Sequence, residues 1–458
     1  MLERSSYKEL LRWKNQENKK ALLVAGARQT GKTTLIREFG RREYKTTIEI
    51  NFVNQPEAKK IFSGNYDPKK ILSALTAFTR SPLTPRETLI FLDEIQECPE
   101  ARTAIKFLVE DSQFDYIESG SLLGINEHTV PSLPVGFEQN LTLHPLDFYE
   151  FCLALSVPTE TLELLETHFL ERTPIPEPIH KTMLDIYRTY LVVGGMPQVV
   201  QTYVDTHDIG AVLANQKDIF TLYRADASKY AGRDKAKVRS ILDALPGQLD
   251  EKNRRFLLSS LAPTARMERY ENSFTWLSDA GIALPCYNVS QPSSPLVLNE
   301  KRSIFRLFMN DVGLLCSQNS ANVQYSILSG DKTVNQGAIY ENAFATQLSS
   351  LGHKLHYFDS KQHGEVDFVC ESYSGAGLDI YEVKSGRSFR QHRAFDHVRS
   401  VKEWNFTNAI IFAQTNIENA QDDIGEYVYM PWYLSMFCKP QSIERGTLHH
   451  VDISALTK

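Results

Sequence analysis

Residues 22–34, LLVAGARQTGKTT, place glycines and basic residues directly after an apolar run. They contain the pattern Gly26-x-x-x-x-Gly31-Lys32-Thr33. Glycines at these positions let successive backbone N–H groups face phosphate oxygens, and the helix that follows adds the positive end of its dipole. Lys32 is expected to reach the β- and γ-phosphates, and Thr33 to bind Mg²⁺. The sequence therefore predicts a nucleotide-binding P-loop made of Gly26, Ala27, Arg28, Gln29, Thr30, Gly31, Lys32, Thr33 and Thr34.

An acidic pair ends a second apolar run, TLIFLDE at residues 88–94. A strand that is buried on both faces of a parallel sheet has this continuous apolar character, and an acid at its end holds Mg²⁺ in P-loop enzymes. Asp93 is therefore expected to be a metal ligand, and Glu94 to orient or deprotonate the attacking water. Such a pair also occurs as the N-terminal charge of a helix. Its combination with the P-loop favours Mg²⁺-dependent hydrolysis of ATP.

Four charged residues in the last third of the chain have the types that metal-assisted phosphodiester hydrolysis needs. Asp367 lies in GEVDFV, and fourteen residues separate it from Glu382 in YEVK. Alternation along a strand puts Glu382 and Lys384 on the same face. Asp367 and Glu382 are expected to bind Mg²⁺, while Lys384 positions water and offsets phosphate charge. Glu341 can complete the metal shell, although the spacing itself is a loose pattern that also arises by chance.

Alternating apolar and helical patterns predict that an α/β domain, residues 1–175, positions the P-loop. Strands are predicted at 21–25, 46–53 and 88–93, with helices at 7–18, up to about residue 40 and across 56–79, an order that is typical of a parallel sheet covered by helices. A strand from Asp115 to Glu118 leads to Ser119 and Ser121. One of these serines is expected to contact the γ-phosphate; the alternative is a helix N-cap.

A helical section and a basic region follow the stiff segment PIPEP at residues 174–178. We assign residues 176–232 to a helical lid. From Lys235 the pattern predicts two short helices, a longer helix and strands at 282–289 and 296–298, which is the order of a winged helix over residues 233–320. Residues 221–310 carry 14 Lys/Arg against 9 Asp/Glu in a chain of net charge −6, so nucleic-acid contact is expected to be local. Arg266 and Arg269 would face phosphates or bases, but winged helices also bind proteins.

The stretch from Phe107 to Glu171 contains twelve Asp/Glu and neither Lys nor Arg. It is expected to repel nucleic acid. Ring-forming ATPases usually keep an arginine finger in this region, where this chain has Gly136-Phe137. Either a finger comes from elsewhere, or hydrolysis is slow and ring assembly is not required. The nearest later candidates are Arg172, Arg188 and Arg224.

The last part of the chain, residues 321–440, returns to an α/β pattern. A helix is predicted from about Gly337 to Leu351, with strands near Tyr357, at 365–370 and at 379–383. An arginine-rich helix is expected next, and a tail is assigned to residues 441–458. The basic residues of this helix are expected either to hold a nucleic-acid backbone or to form a solvated face: Arg387, Arg390, Arg393, Arg399 and Lys402.

Six cysteines are spread singly along the chain, without a Cys-x-x-Cys pair. Reduced thiols and a cytoplasmic location are therefore expected. The longest apolar segments have strand length, short of the roughly 20 residues of a membrane helix, so no membrane partner is expected.

The motifs GARQTGKTT, FLDEIQ, HPLDFYEF, GGMPQ, WLSDAGI, DVGLL, QGAIYEN, GEVDF and YEVKSG together resemble the prokaryotic AAA-type ATPases that carry a C-terminal restriction-endonuclease-like domain. The resemblance covers nearly the whole chain. It implies an α/β fold class with a P-loop AAA-type ATPase domain, a helical lid, a winged-helix region and a C-terminal PD-(D/E)XK nuclease-like domain. It also implies ATP and Mg²⁺ as cofactors, and Glu341, Asp367, Glu382 and Lys384 as the nuclease-like set.

These features leave different functions open. ATP hydrolysis can control a nuclease that contacts DNA or RNA through residues 233–320 and 384–402. Alternatively, the chain is an ATP-dependent remodelling or binding protein whose nuclease-like domain only docks DNA or a protein partner. A nucleotide-dependent signalling switch without nucleic acid is a further possibility. Convergence of Asp367, Glu382 and Lys384 on one spot is the feature that the nuclease requires.

Overall fold

A computed structural model describes residues 2–64, 66–121, 134–250, 255–331, 336–375, 377–386, 388–441 and 451. The side chains of Ser121, Lys229 and Tyr230 are not included in this description. Arg387 and nearly all of the predicted tail at 441–458 lie outside the described residues.

The N-terminal part of the chain contains the predicted parallel sheet, which has a fifth strand that was not predicted. Its strands are β1 (Ala21–Gly26), β2 (Thr46–Asn51), β3 (Thr88–Asp93), β4 (Asp115–Ser121) and β5 (Glu138–Thr142). They lie in the order β2-β3-β4-β1-β5 and all pairs are parallel. Both apolar runs of the sequence, β1 and β3, are buried along their whole length. Because parallel strands end at one edge of the sheet, the residues that follow β1 and β3 meet there.

Helices cover both faces of this sheet: α1 (Ser6–Lys14), α2 (Lys32–Glu43), α3 (Pro68–Thr79) and α4 (Pro99–Glu110). Leu10 of α1 and Phe39 of α2 pack in one core with Phe91 of β3. Leu75 of α3 and Ile105 of α4 belong to the core on the opposite face. A 3-10 turn, Pro56–Phe62, precedes α3 where the sequence predicted a helix.

Five helices follow the sheet: α5 (Phe148–Ala154), α6 (Thr159–Glu171), α7 (Glu177–Val193), α8 (Pro197–Thr206) and α9 (Ile209–Tyr230). Their apolar residues join one large core that extends to Cys438. Ala27 of the P-loop belongs to the same core. The helices therefore connect the N-terminal sheet to the C-terminal part of the chain.

The basic middle region contains α10 (Lys235–Asp250), α11 (Met267–Asp279), β6 (Ala283–Val289) and β7 (Glu300–Met309). The expectation of two short helices is wrong, because α10 is one helix of 16 residues that includes Pro246. Its buried face, from Val238 to Leu249, continues past the proline and holds the helix together. The strand expected at 296–298 is a 3-10 turn, Leu296–Asn299, and β7 begins after it.

The remaining elements are α12 (Val312–Ser317), α13 (Ala321–Ser329), α14 (Gly337–Ser350), β8 (His356–Ser360), β9 (Gly364–Val366), β10 (Phe368–Glu371), β11 (Leu378–Val383), α15 (Arg393–Arg399), β12 (Phe406–Ala413), β13 (Glu418–Gln421) and β14 (Glu426–Pro431). A 3-10 helix, Trp432–Phe437, follows β14. Strands β10-β11-β12-β14-β13 form a mixed sheet in that order. The predicted arginine-rich helix is short, because α15 begins only at Arg393.

A smaller sheet, β7-β6-β8-β9, joins strands from both sides of residue 320. Strand β6 pairs with β7 and also with β8, where Tyr287 lies opposite His356. Helix α14 adds a second link, since the Asn342 side chain accepts from the Met309 N–H and donates to its carbonyl, at 2.7 and 3.0 Å. Within the described ranges, no helix combines the length and apolar character needed to cross a bilayer.

Candidate functional site

Two glycines give the P-loop its path between β1 and α2. Gly26 has φ +154°, and a Cβ there would lie 2.3 Å from the Leu143 carbonyl oxygen of the neighbouring chain segment. Gly31 has φ +91° and precedes α2 in a left-handed conformation. Since a side chain at Gly26 would meet backbone, only glycine fits that position.

The side chain of Lys32 donates hydrogen bonds to the backbone of its own P-loop. Its Nζ donates to the Gly26 and Ala27 carbonyls at 3.0 and 2.8 Å. Burial lowers the pKa of Lys32 to about 8, against the opposing effect of the Glu94 and Asp93 carboxylates. The ammonium is therefore held by two backbone carbonyls of the P-loop itself.

Asp93 is the centre of a hydrogen-bonded group at the end of β3. Thr33 Oγ1 lies 3.3 Å from both of its oxygens, and the Glu94 N–H donates to it at 3.1 Å. The Ser119 hydroxyl also donates to Asp93. Hydroxyl and carboxylate oxygens are ligands that Mg²⁺ prefers, so Thr33 and Asp93 have suitable donors for the ion of a bound nucleotide. The side chain of Ser121, the other predicted contact, is outside the described residues.

Asn51, which the sequence analysis did not select, also contacts this group. It ends β2 and lies opposite Asp93 in the strand register. Its Nδ2 donates to Asp93 Oδ2 at 2.9 Å. The sequence contained one signal for this contact, since Asn51 is a polar residue at the end of β2, the strand beside β3.

Glu94 lies beside the P-loop in a left-handed conformation, with φ +54°. The Gln96 amide donates to its carboxylate. Both side chains line a cavity of about 800 Å³ that also contacts Gly31, Lys32 and Thr33. Helix α9 contributes three further lining residues, Ile219, Leu222 and Tyr223. The cavity has the size and the polar groups of a nucleotide site.

Arg4 contacts the P-loop at the Thr30 carbonyl, and the sequence analysis did not select it. Its guanidinium donates to the Thr30 carbonyl at 2.9 Å, to Glu150 at 3.0 Å and to the His144 carbonyl at 2.6 Å. The side chain is buried. Burial, and to a lesser degree the charge of Arg4, lowers the pKa of His144 to about 4. Arg4 lies 26 residues before Thr30, and no local pattern indicates this contact.

Helix α9 contacts the P-loop through two residues. Arg28 forms a 2.9 Å ion pair with Asp226. The Tyr223 hydroxyl donates to the Arg28 carbonyl at 3.4 Å and accepts from Asn310 Nδ2 at 3.3 Å. Asn310 directly follows β7, so the P-loop is connected through the lid to the small sheet.

The three arginine-finger candidates have partners elsewhere in this structure. Arg172 donates to Asn408 of β12, Arg188 pairs with Asp185 at 2.6 Å, and Arg224 pairs with Asp243 at 3.0 Å. Among the described residues, the cations that line the nucleotide cavity are Arg28, Lys32 and Lys59.

Residues 18–152 match the family described as an AAA domain. The match includes the P-loop, Asp93 and Glu94, and it agrees with the parallel sheet. These residues form a P-loop AAA ATPase domain. The AAA domain is followed by two further family matches, at residues 184–324 and 336–433, both described as domains of unknown function (DUF8612 and DUF4143).

Solved structures with similarity to this chain include the Aeropyrum pernix ORC1 protein in complex with DNA, at 13% identity and TM-score 0.27, covering 71% of this chain and 92% of that one. The A. pernix ORC2 protein in its ADP form has 14% identity and TM-score 0.28, with 73% and 95% covered. The Thermotoga maritima RuvB Holliday junction branch migration motor has 16% identity and TM-score 0.27, with 62% and 89% covered. TM-scores this low do not establish a common fold over these lengths. A comparison with curated proteins gives no significant match.

Glu341, Asp367, Glu382 and Lys384, the four residues predicted as a nuclease-like set, lie together in the C-terminal part of the chain. Asp367 lies between β9 and β10 and accepts from the Val383 N–H at 2.9 Å. Lys384 Nζ lies 2.5 Å from Glu382 Oε1. Burial lowers the pKa of Lys384, but Glu382, Asp367 and Glu341 outweigh it and the pKa is raised. We call Glu341, Glu365, Asp367 and Glu382 the acidic cluster.

Arg306 of β7 enters the acidic cluster and is fully buried. Its NH1 lies 3.3 Å from Asp367 Oδ1 and 3.8 Å from Glu341 Oε2, and its NH2 pairs with Glu365. The guanidinium carbon lies 4.3 Å from the centre of the Tyr357 ring. Nothing in the motif GEVDFV or in YEVK indicates an arginine 61 residues before Asp367.

The acidic cluster supplies carboxylate oxygens, but they are paired with Arg306 and Lys384. Burial, followed by the charge of Asp367, raises the pKa of Glu382 to about 8, with Lys384 acting in the opposite direction. Glu382 Oε2 is buried and has no hydrogen-bond partner among the described residues. Carboxylate oxygens of this kind are the usual ligands of Mg²⁺. However, within the described part of the chain, no group of three or more His, Cys, Asp or Glu is arranged to hold a metal.

The basic residues expected to contact nucleic acid differ in their availability. Arg266 and Arg269, at the start of α11, are exposed. Arg393 and Lys402, farther along the chain, are also exposed. Arg390 is exposed but pairs with Glu418 at 2.7 Å. The expectation that Arg399 belongs to a binding face is wrong: it is buried and pairs with Asp396 and Asp422, both at 3.0 Å.

Proposed function

We propose that this AAA protein hydrolyses ATP and that its nucleotide state controls a nucleic-acid-acting, nuclease-like site at the acidic cluster. The AAA domain supports the ATPase part of the proposal. The observation that carries the coupling is the hydrogen-bonded path from the Arg28 carbonyl through Tyr223 to Asn310.

The first step of the coupling takes place at the P-loop. Lys32 bonds the Gly26 and Ala27 carbonyls, and these bonds must break before it can contact a phosphate. Arg28 follows Ala27, so its carbonyl lies within the segment that rearranges. A ligand shifts a conformational equilibrium only through contacts that differ between two states. Lys32 would provide that difference, because it contacts backbone carbonyls in one state and phosphate in the other.

The second step is the transfer from the lid to the acidic cluster. Tyr223 is buried, so a displaced Arg28 carbonyl leaves its hydroxyl without that acceptor. Asn310, which donates to the same hydroxyl, follows the strand that carries Arg306. Met309 is bonded through its backbone to Asn342 of α14, the helix that also carries Glu341. Movement at Asn310 therefore acts on two elements of the cluster.

The chemistry of the proposed site follows from its side chains. Asp367 and Glu382 would hold a divalent ion, which supplies Lewis-acid activation of a phosphodiester and of water when it is bound. Lys384 places a positive charge beside Glu382, where it offsets charge that develops on the phosphate. Exposed Arg266, Arg269, Arg393 and Lys402 are available to contact the backbone of DNA or RNA.

A second candidate function is an ATP-dependent binding or remodelling protein whose nuclease-like domain docks DNA or a protein. The ion pairs of the acidic cluster favour it. Arg306 and Lys384 already neutralise much of the buried negative charge, so the charge balance of the cluster does not require a metal. In this alternative the acidic cluster stabilises the domain and catalyses no reaction.

The test combines ATP turnover with cleavage of DNA and RNA in Mg²⁺ or Mn²⁺. Wild type is expected to cleave nucleic acid in a nucleotide-dependent manner, and Lys32→Ala and Lys384→Ala to lose cleavage. Tyr223→Phe removes only the coupling hydroxyl and is expected to make cleavage insensitive to nucleotide. The matched control is Tyr203→Phe, because Tyr203 is a partly buried tyrosine of α8.

The outcomes separate the candidates. If wild type cleaves nothing while nucleic acid stimulates ATP turnover, the binding or remodelling function is supported and the nuclease is rejected. If ATP is turned over without any response to nucleic acid, both are rejected in favour of a signalling switch.

A further inference from the structure

Gln96 lies between the acid that follows β3 and the neighbouring strand β4. Its Nε2 donates to Glu94 Oε2, and its Oε1 lies in the space beside Gly120. We propose that Gln96 is a positioning residue for ATP hydrolysis, which holds the Glu94 carboxylate toward the phosphate end of the cavity, and that Gly120 leaves the space for its amide. The inference rests on the proposed function only in assigning ATP hydrolysis to the AAA domain and activation of water to Glu94.

Glu94 is restrained both at its backbone and at its carboxylate. The backbone has φ +54°, and its N–H donates to Asp93 Oδ1 at 3.1 Å. The carboxylate accepts from the Gln96 amide through Oε2. Within the described ranges, this amide is the one hydrogen-bond donor to the carboxylate. The direction in which the acid points therefore depends on Gln96.

The direction in which Glu94 is held is toward the phosphate-binding lysine. Burial lowers the pKa of Lys32, and among the charges that oppose this effect that of Glu94 is the largest, ahead of Asp93. Charge interactions weaken with distance, so the held carboxylate lies close to the Lys32 ammonium. Glu94 and Gln96 line the cavity together with Lys32 and Thr33. Gln96 therefore holds the acid in the direction that activation of a water beside the phosphates requires.

The amide of Gln96 has one orientation that suits its surroundings. An ionised carboxylate accepts hydrogen bonds and donates none, so the amide NH₂ must face Glu94. Oε1 then faces Gly120, where it is buried and has no hydrogen-bond partner among the residues that the structure describes. The bond to Glu94 is thus the polar contact that holds this amide, and displacement of the amide would release the acid.

Gly120 of β4 offers a way to move Gln96 without changing either partner of the hydrogen bond. A Cβ at Gly120 would lie 2.5 Å from Gln96 Oε1 and 3.4 Å from Ile95 Cγ2. The nearer atom is the end of a flexible side chain, and Gly120 is a strand residue that does not have a positive φ. Alanine therefore fits the backbone at this position and is accommodated by displacement of the Gln96 amide.

The experiment measures steady-state ATP turnover and binding of ADP by the full-length protein in Mg²⁺. Gln96→Met keeps the length of the side chain and removes the donor. Its kcat is expected to fall by about tenfold or more, because a misplaced catalytic group loses rate, while its affinity for ADP stays within about twofold of wild type. Gly120→Ala is expected to give the same pattern. Gln113→Met is the matched control, because Gln113 is an exposed glutamine outside the nucleotide cavity, and it is expected to match wild type.

The double variant Gln96→Met/Gly120→Ala separates positioning from general damage to the domain. If alanine at position 120 acts by displacing Gln96, the double variant should hydrolyse ATP as slowly as Gln96→Met alone, whereas independent effects would multiply. Multiplied losses would overturn the proposal, as would unchanged or faster turnover in Gln96→Met. If Gln96→Met does not fold, Gly120→Ala alone decides: an unchanged kcat in this variant would also overturn the proposal.

Failure of the proposed function gives different results. Absence of ATP turnover in wild type would reject the ATPase and the role of Gln96 together. Normal turnover in wild type and in both single variants would reject only the role of Gln96. Absence of nucleic-acid cleavage would reject the nuclease, and it would leave the effect of Gln96 on ATP turnover unchanged.

Discussion

Asn51 donates a 2.9 Å hydrogen bond to Asp93 from the end of the neighbouring strand. The orientation of its amide is fixed, because Asn51 Oδ1 accepts from the Val53 and Asn54 N–H groups at 3.1 and 2.9 Å. The Nδ2 group must then face Asp93. Asn51 thus connects the acidic end of β3 to the turn after β2, on one wall of the nucleotide cavity.

Asn51→Ala is expected to slow ATP hydrolysis more than it weakens ATP binding. A hydrogen bond to a charged group contributes about 1.5–3 kcal/mol, so kcat should fall by roughly tenfold or more. Steady-state turnover and binding of a nucleotide analogue measure the two effects. Asn54→Ala, in the same cavity lining, is the control. A loss of affinity with unchanged kcat would contradict a role at Asp93.

ATP binding should weaken in alkaline solution because of Lys32. Its pKa is lowered to about 8 by burial. Phosphates favour the charged ammonium, so binding above this pH requires uptake of a proton. Affinity should be nearly constant from pH 7 to 8 and then fall by up to about tenfold per pH unit. Lys32→Arg keeps its charge over this range, and its residual binding should vary little with pH. A wild-type affinity that stays constant to pH 9.5 would contradict this expectation.

Gly26→Ala should destabilise the AAA domain and prevent nucleotide binding. The new Cβ would lie 2.3 Å from a backbone oxygen, at φ +154°. A clash with backbone at a strained dihedral angle costs about 3 kcal/mol. Urea unfolding and nucleotide binding measure the change. Gly247→Ala is the matched control, because that glycine lies inside α10 with open space around it, and it should gain up to about 1 kcal/mol.

Arg4→Met should lower both stability and ATP affinity. It leaves Glu150, which is 4% exposed, without its ion-pair partner, and loss of one member of a buried pair costs about 3 kcal/mol. The Thr30 carbonyl also loses its donor, so the P-loop is held less firmly. Arg12→Met, on the exposed face of α1, should change stability by less than about 0.5 kcal/mol. Equal unfolding curves for the two variants would show that Arg4 has no supporting role.

The sequence predicted the features that depend on neighbours along the chain. The apolar runs of β1 and β3 and the glycines of the P-loop are local signals, and the parallel sheet follows from them. Two short helices were predicted where the structure has the single helix α10, whose buried face continues past Pro246.

The residues missed by the sequence have distant partners. Asn51 and Asp93 are 42 residues apart, Arg306 and Asp367 are 61 apart, and Arg4 and Glu150 are 146 apart. Spacing patterns report helix and strand periods of a few residues, and they do not identify which distant charges will be buried together. The sequence analysis selected Glu341, Asp367 and Glu382, but it did not select Arg306, which pairs with two of them.

The small sheet affects how the C-terminal part of this protein can be studied in isolation. A fragment that begins at residue 321 would lack β6, the pairing partner of β8 at Tyr287–His356. It would also lack Arg306, so Glu341 and Asp367 would be buried without their shared cation. Activity or inactivity of such a fragment would describe a site with different charges from the one in the intact chain. Dissection of the protein should therefore retain the hairpin of β6 and β7 with everything that follows it.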